Sequence, residues 1–178
     1  DTFPPVRTTR DERGGWLFEF DRYFSGWVRL KTRGNAGDRI TIHYELGEKD
    51  TCILKGDPEG ETYEPRFTFH PVRYVRVEGL KGKPAADTVM GREVYSDVDL
   101  YGRFSCSNEL FNQIQECTLR SYRSNFHHFP TDCPQREKNG WTGDAQLAAE
   151  LGYRNFNPAP AYKKWMNDID DEQREDGA

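Results

Sequence analysis

The sequence predicts an antiparallel β-sandwich followed by the first helices of an α-helical domain, and three observations carry that reading. Up to about Tyr95, apolar residues alternate with period two in short runs that recur about every ten residues, the pattern of half-buried strands. After Asp99 the apolar spacing changes to three and four, the pattern of one helix face. The chain then stops soon after a third helical stretch, on the acidic run Asp168 to Ala178, which reads as truncation. The expected domains are a sandwich over residues 1–97 and the start of a helical domain over 98–178.

The elements follow in order. Trp16 to Phe20 predicts one strand, and Gly26 to Arg33 a second in which apolar and cationic side chains alternate. Gly34-Asn35-Ala36-Gly37-Asp38 predicts a turn, and Arg39 to Tyr44 alternates again. Thr62 to His70 and Val72 to Glu78 form a further pair around Pro71, which has no N–H to donate and suits a corner or an edge. Ser107-Asn108 is placed to cap a helix carrying Leu110, Phe111, Ile114 and Leu119. Thr142 to Leu151 predicts a second helix, and Pro158 to about Arg174 a third, with Pro158 and Pro160 in its opening turn.

Composition excludes several classes. The 178 residues are 31% charged and 13% aromatic, and the aromatics argue against disorder. A formal net charge of −5 without a basic cluster weighs against nucleic-acid binding, which depends on neutralising phosphates. No apolar run approaches the roughly 20 residues needed to span a bilayer. Cys52, Cys106, Cys117 and Cys133 contain no CxxC pair, so half-buried thiols are expected rather than a zinc site. No signal peptide opens the chain, and the compartment stays unassigned.

The chemistry concentrates in the polar loop between the first two helices. From Thr131 to Asp144 it holds three carboxylates, Asp132, Glu137 and Asp144, with Arg136, Lys138 and Trp141. Sugar hydrolysis needs this mix: a protonated acid for the glycosidic oxygen, further polar groups for hydroxyls, and an aromatic face against the apolar side of the ring. Trp141 near Glu137 offers an apolar wall that would raise a carboxyl pKa by desolvation. The plainer alternatives are a solvated loop, a surface ion pair between Arg136 and Glu137, and an Asp144 that favours the positive end of the next helix. The residues alone do not choose one acid from three.

Asp132-Cys133-Pro134-Gln135-Arg136-Glu137, followed by Gly140-Trp141-Thr142-Gly143-Asp144-Ala145-Gln146, resembles the active-site motif of glycoside hydrolase family 78, the α-L-rhamnosidases. Gly102 to Asn108 is similar to the lead-in to that family's catalytic barrel. Phe24 to Leu30 and Tyr63 to His70 are similar to its upstream β-sandwich domain. The resemblance implies an (α/α)6 barrel and hydrolysis of terminal α-L-rhamnosyl residues with inversion, without a cofactor or metal. It implies Glu137 as the general acid, with Asp132, Arg136, Trp141 and Asp144 binding the sugar. Some members carry one more residue before Gly-Trp, which would move the donor to Lys138; a lysine cannot take that role, so this chain follows the shorter form. The family's general base is a Glu further downstream, so this stretch alone is expected to be inactive. Its implied partner is a rhamnose-containing glycoside or polysaccharide, with a homodimer of the parent enzyme left open. Between Leu46 and Asp50 the chain is shorter than the family usually is, which predicts a trimmed sandwich edge.

Two rival readings remain: a carbohydrate-binding or structural sandwich module without catalysis, and a related barrel hydrolase acting on another deoxy or uronic sugar. Trp27, Tyr44, Phe67, Phe69 and Tyr74 are expected in the sandwich core rather than on a sugar platform. His127-His128 is not expected to hold a metal, because adjacent residues point apart, and His43 and His70 are expected to be structural. Cys133 lacks an activating His at a readable spacing and is expected to be a small packing residue.

Overall fold

The computed structural model describes residues 1–177, in two compact units, Asp1–Val94 and Tyr95–Ala178. The first unit is a single antiparallel sheet of eight strands: β1 (Thr2–Phe3), β2 (Arg7–Arg10), β3 (Trp16–Thr32), β4 (Arg39–Tyr44), β5 (Lys49–Ile53), β6 (Glu61–Tyr63), β7 (His70–Glu78) and β8 (Val89–Glu93). Its main path runs β1-β8-β3-β7-β4-β5, with β2 and β6 also paired to β3. Val28, Leu30, Ile42, Val72, Val77 and Val89 have 0% exposure and share one core. The unit contains no helix, so the sheet covers its own apolar face by folding over it, which makes a sandwich.

The expected strands Trp16 to Phe20 and Gly26 to Arg33 are one continuous 17-residue strand. Asp21-Arg22-Tyr23 breaks the apolar run but not its phase: Phe18, Phe20, Phe24, Val28 and Leu30, all at even positions, are buried. Arg22 keeps that phase because its guanidinium lies 4.4 Å from the centre of the Phe3 ring and 3.5 Å from the buried Glu93. The register with β7 shifts between Glu19 and Phe24, so these extra residues bulge and re-aim the strand. Beyond the bulge, β3 pairs with β8 and then β6. The hand-over occurs at Gly26, where a Cβ would collide with the carbonyl oxygen of Arg92. Phe3, Phe20 and Phe24 fill the space beside the bend, edge to face at 4.8 to 5.8 Å.

Other expectations need correction. Of the expected strand Thr62 to His70, Thr62 and Tyr63 belong to β6 and His70 opens β7, but the residues between are not strand, because Phe67 turns the chain at φ 57 and stands fully exposed. Pro71 lies inside β7 opposite Ser25, at the end that β4, paired only with Val75 to Glu78, does not reach. Among the aromatics expected in the core, Tyr44 is buried, but Trp27 and Tyr74 point to the outer face. Cys106 and Cys117 are exposed rather than half-buried. The short link after β4 is a tight turn in which Tyr44 N–H donates to Glu48 O at 2.9 Å and Gly47 N–H to Tyr44 O at 3.2 Å.

The second unit holds α1 (Glu109–Ser124), a small hairpin of β9 (Phe126–His127) and β10 (Phe129–Pro130), α2 (Thr142–Asn155) and α3 (Ala159–Asp171). Asn108 caps α1, its side chain accepting from Leu110 N–H at 3.0 Å. α2 runs one turn past Leu151, and α3 starts just after Pro158 and ends before Arg174. Tyr122 stacks on Phe126 at 5.2 Å and on Phe156 at 5.1 Å, and these rings with Val98 form the core. Leu119 packs against that core, whereas Leu110, Phe111 and Ile114 of the same apolar stripe stay exposed. Among the described residues no helix is long and apolar enough to cross a membrane.

Candidate active site

The loop from Thr131 to Trp141 is closed at its base by paired backbone and side-chain bonds. Thr131 N–H donates to Asn125 O at 2.7 Å, just past the end of α1. Asp132 N–H donates to Asn139 O at 3.0 Å, and Asn139 N–H returns a bond to Asp132 Oδ1 at 2.8 Å. The neck therefore joins residues seven apart and pushes Pro134 to Glu137 out as a turn. Lys138, at φ 55, reverses the chain between that turn and the neck. Sequence reasoning misses Asn139, whose only signal is the Asn-Gly pair, a common turn former.

At the other end of the loop the chain is packed close to two rings. A Cβ on Gly140 would lie 2.9 Å from Phe129 and 3.2 Å from Trp165, whose rings stack on each other at 6.1 Å. The next residue, Trp141, is the N-cap of α2, and its carbonyl accepts from Ala145 N–H at 3.0 Å. Its indole turns back over the loop, and Nε1–H donates to Glu137 Oε2 at 2.8 Å. Both side chains are exposed, Trp141 at 53%. The expected desolvating wall is therefore not formed by these two residues alone; they meet through a polar N–H, not through the ring face.

Asp132 and Asp144 line one cleft of about 300 Å³ between α1 and α2, which Thr118, Ser121 and Asn125 also line. Burial works to raise the Asp132 carboxyl, but hydrogen bonds from the Cys133 thiol and from the Asn139 and Cys133 amides outweigh it and hold it below the ordinary carboxylate range. Asp132 is thus an ionised acceptor beside that cleft, and Cys133 serves it as a donor. Asp144 sits in the first turn of α2, where the helix end favours its charge. Arg136 is exposed on the turn and, among the described residues, forms no ion pair with Glu137. The loop thus brings together Glu137 with Trp141, and Asp132 with Asp144, and leaves Arg136 apart.

His127 is buried, and desolvation lowers its pKa to about 4 against a hydrogen bond to Ser124 O, so it is neutral near pH 7. Among the described residues no three His, Cys, Asp or Glu side chains are grouped to hold a metal.

Comparison with known proteins places both units. Residues 99–178 match the family model of the bacterial alpha-L-rhamnosidase 6 hairpin glycosidase domain, and residues 45–95 match that of the bacterial alpha-L-rhamnosidase concanavalin-like domain. An alpha-L-rhamnosidase of Formosa agariphila is 30% identical over 188 residues, a stretch covering 94% of this chain and 20% of that protein. The structure of an alpha-L-rhamnosidase from Dictyoglumus thermophilum superposes with a TM-score of 0.89 at 38% identity, covering 98% of this chain and 22% of the other. A Streptomyces avermitilis alpha-L-rhamnosidase solved with L-rhamnose gives a TM-score of 0.89 at 32% identity, over 100% of this chain and 19% of the other. The chain spans about a fifth of the length of the curated relatives it matches.

Proposed function

Because the chain belongs to the bacterial α-L-rhamnosidase family, we propose that it carries the proton-donor segment of an inverting hydrolase that releases terminal α-L-rhamnose. In this reading residues 1–97 form the accessory sandwich and 98–178 open an (α/α)6 catalytic barrel. Glu137 is the general acid: its carboxyl proton passes to the glycosidic oxygen as the bond to the anomeric carbon breaks. Asp132 and Asp144 accept from hydroxyls of the sugar ring, and Arg136 donates to them. Trp141 presents its ring beside the same sugar. Inversion also needs a carboxylate base about 6.5–9.5 Å from the acid, with water between them. In the family that base is a Glu downstream of this segment, so a working site needs more chain than these residues. No cofactor or metal enters the reaction as proposed.

The observation that supports the reading is the loop's construction. A hydrogen-bonded neck puts Asp132 beside Asp144 in one cleft and holds Glu137 on the protruding turn. This separates one carboxylate for the leaving group from two for the glycone.

The test is Glu137→Gln in the full-length polypeptide that carries this segment. The amide keeps shape and hydrogen bonding but has no transferable proton. Turnover of a rhamnoside with a poor leaving group should fall by about 10²–10⁴-fold. A dinitrophenyl rhamnoside, whose leaving group needs little protonation, should be far less affected. Asp132→Asn and Asp144→Asn should slow both substrates alike, because each aspartate acts on the glycone, which the two substrates share. Leaving-group dependence in an aspartate variant, and none in Glu137→Gln, would reassign the acid.

A further inference from the structure

We propose that Trp141 is a positioning residue for the proton donor, acting through its indole N–H and not only as an aromatic surface for the sugar; the inference rests on Glu137 being the general acid. The hydrogen bond from Trp141 Nε1 to Glu137 Oε2, 2.8 Å long, is the basis. Glu137 sits on an exposed turn at the tip of the loop, where a flexible carboxyl would otherwise sample many rotamers. Proton transfer requires the carboxyl within hydrogen-bond reach of the departing oxygen, and small misplacements cost rate steeply.

Trp141 is suited to remove that freedom because its own backbone is fixed on both sides. Behind it Gly140 is pressed against Phe129 and Trp165 with no room for a side chain. Ahead of it the Trp141 carbonyl carries the first bond of α2. The neck between Asp132 and Asn139 fixes the other end of the span, so the Glu137 turn is held at its base and the Glu137 carboxyl at its tip.

The bond also divides the work of the two carboxyl oxygens. Oε2 accepts from the indole, which leaves Oε1 to carry the proton. In the reaction the Oε1 proton moves to the glycosidic oxygen, that oxygen keeps the electron pair of the breaking bond, and the carboxylate that remains is still hydrogen-bonded to Trp141. The same hydrogen bond can therefore persist through both protonation states.

The experiment compares Trp141→Phe, Trp141→His and Glu137→Gln in the full-length enzyme, on rhamnosides with poor and good leaving groups and with free L-rhamnose as a competitive inhibitor. Phenylalanine keeps a ring but removes the N–H; histidine restores a ring N–H donor. Trp141→Phe should lower kcat on the poor leaving group by about ten-fold, a part of the 10²–10⁴-fold that general acid catalysis contributes. The dinitrophenyl substrate and the rhamnose inhibition constant, which report the ring beside the sugar, should be affected clearly less than that, and Trp141→His should recover part of the loss on the poor leaving group. Equal damage on both substrates with weaker rhamnose binding would overturn the proposal, since that is the behaviour of a sugar-facing wall. If Glu137→Gln itself shows no leaving-group dependence, the assignment of the acid fails first. If Glu137→Gln shows it and Trp141→Phe does not, only the positioning role is lost.

Discussion

Replacing Val28 by alanine removes two methyl groups from a site with 0% exposure in the middle of the sandwich core. Transfer alone accounts for about 1.6 kcal/mol, at about 0.8 kcal/mol per buried carbon. The surrounding strands are paired on both sides of β3 and cannot collapse fully into the void, which brings the expected loss to about 2–3 kcal/mol. Trp27, the neighbouring residue, is far larger but lies on the opposite face of the same strand, half-buried, with Nε1–H donating to Glu64 Oε2 at 2.8 Å. Trp27→Ala gives up that bond and part of the ring's packing, an expected loss of about 1–2 kcal/mol. The smaller deletion should thus cost more. Urea unfolding monitored by circular dichroism measures both. With a slope of about 2 kcal/mol per molar, Val28→Ala should lower the midpoint by about 1 M and Trp27→Ala by about half that. Trp27→Phe, which keeps a ring and drops the N–H, isolates the bond to Glu64. The assignment of faces is refuted if Trp27→Ala costs about 3–5 kcal/mol, the usual loss for a core aromatic, and Val28→Ala is nearly silent.

Two further outcomes follow from single interactions. Asn108→Ala removes the side chain that caps α1 and should destabilise the helical unit by about 1 kcal/mol, while Asn108→Asp should be tolerated; thermal melts of both variants check this. His70 is 4% exposed, stacked on Tyr44 at 3.9 Å, with Glu48 at 2.8 Å and Asp50 at 3.5 Å, and Tyr44 Oη also donates to Asp50. Burial disfavours its charged form, but the two carboxylates more than offset this and raise its pKa above the ordinary 6.5. A raised folded-state pKa means that the stabilisation is fully present below about 6.5 and is lost as pH rises through the folded value. The melting temperature of the sandwich should therefore fall as the pH is raised above about 6.5, and His70→Gln should flatten that dependence; an unchanged slope in the variant would exclude His70 as its source.

Some of this protein was determined by local sequence alone. Period-two alternation fixes which face of Arg39–Tyr44 is buried whatever it pairs with, because successive strand side chains point to opposite sides. Asn108 before an apolar stripe marks the start of α1 because unpaired N–H groups at a helix end need an acceptor. The residue types between Asp132 and Asp144 supply the groups that sugar hydrolysis needs without choosing that chemistry over a solvated loop, and it is their order that carries the family resemblance. Tertiary structure decided the rest. That Asp21-Arg22-Tyr23 bends one strand rather than separating two depends on Phe3 and Glu93, remote in sequence, receiving the Arg22 guanidinium. Trp27 points outward and Val28 inward because one core needs one phase along β3, and the even positions take it. Glu137 and Trp141 stand four apart in an irregular loop, a spacing that implies no interaction without helical geometry. They meet because Asp132 and Asn139 close the neck between α1 and α2, and because Gly140 lets the chain pass against Phe129 and Trp165. Composition names the groups available for chemistry, but which oxygen faces which proton is set by packing between segments that the sequence holds far apart.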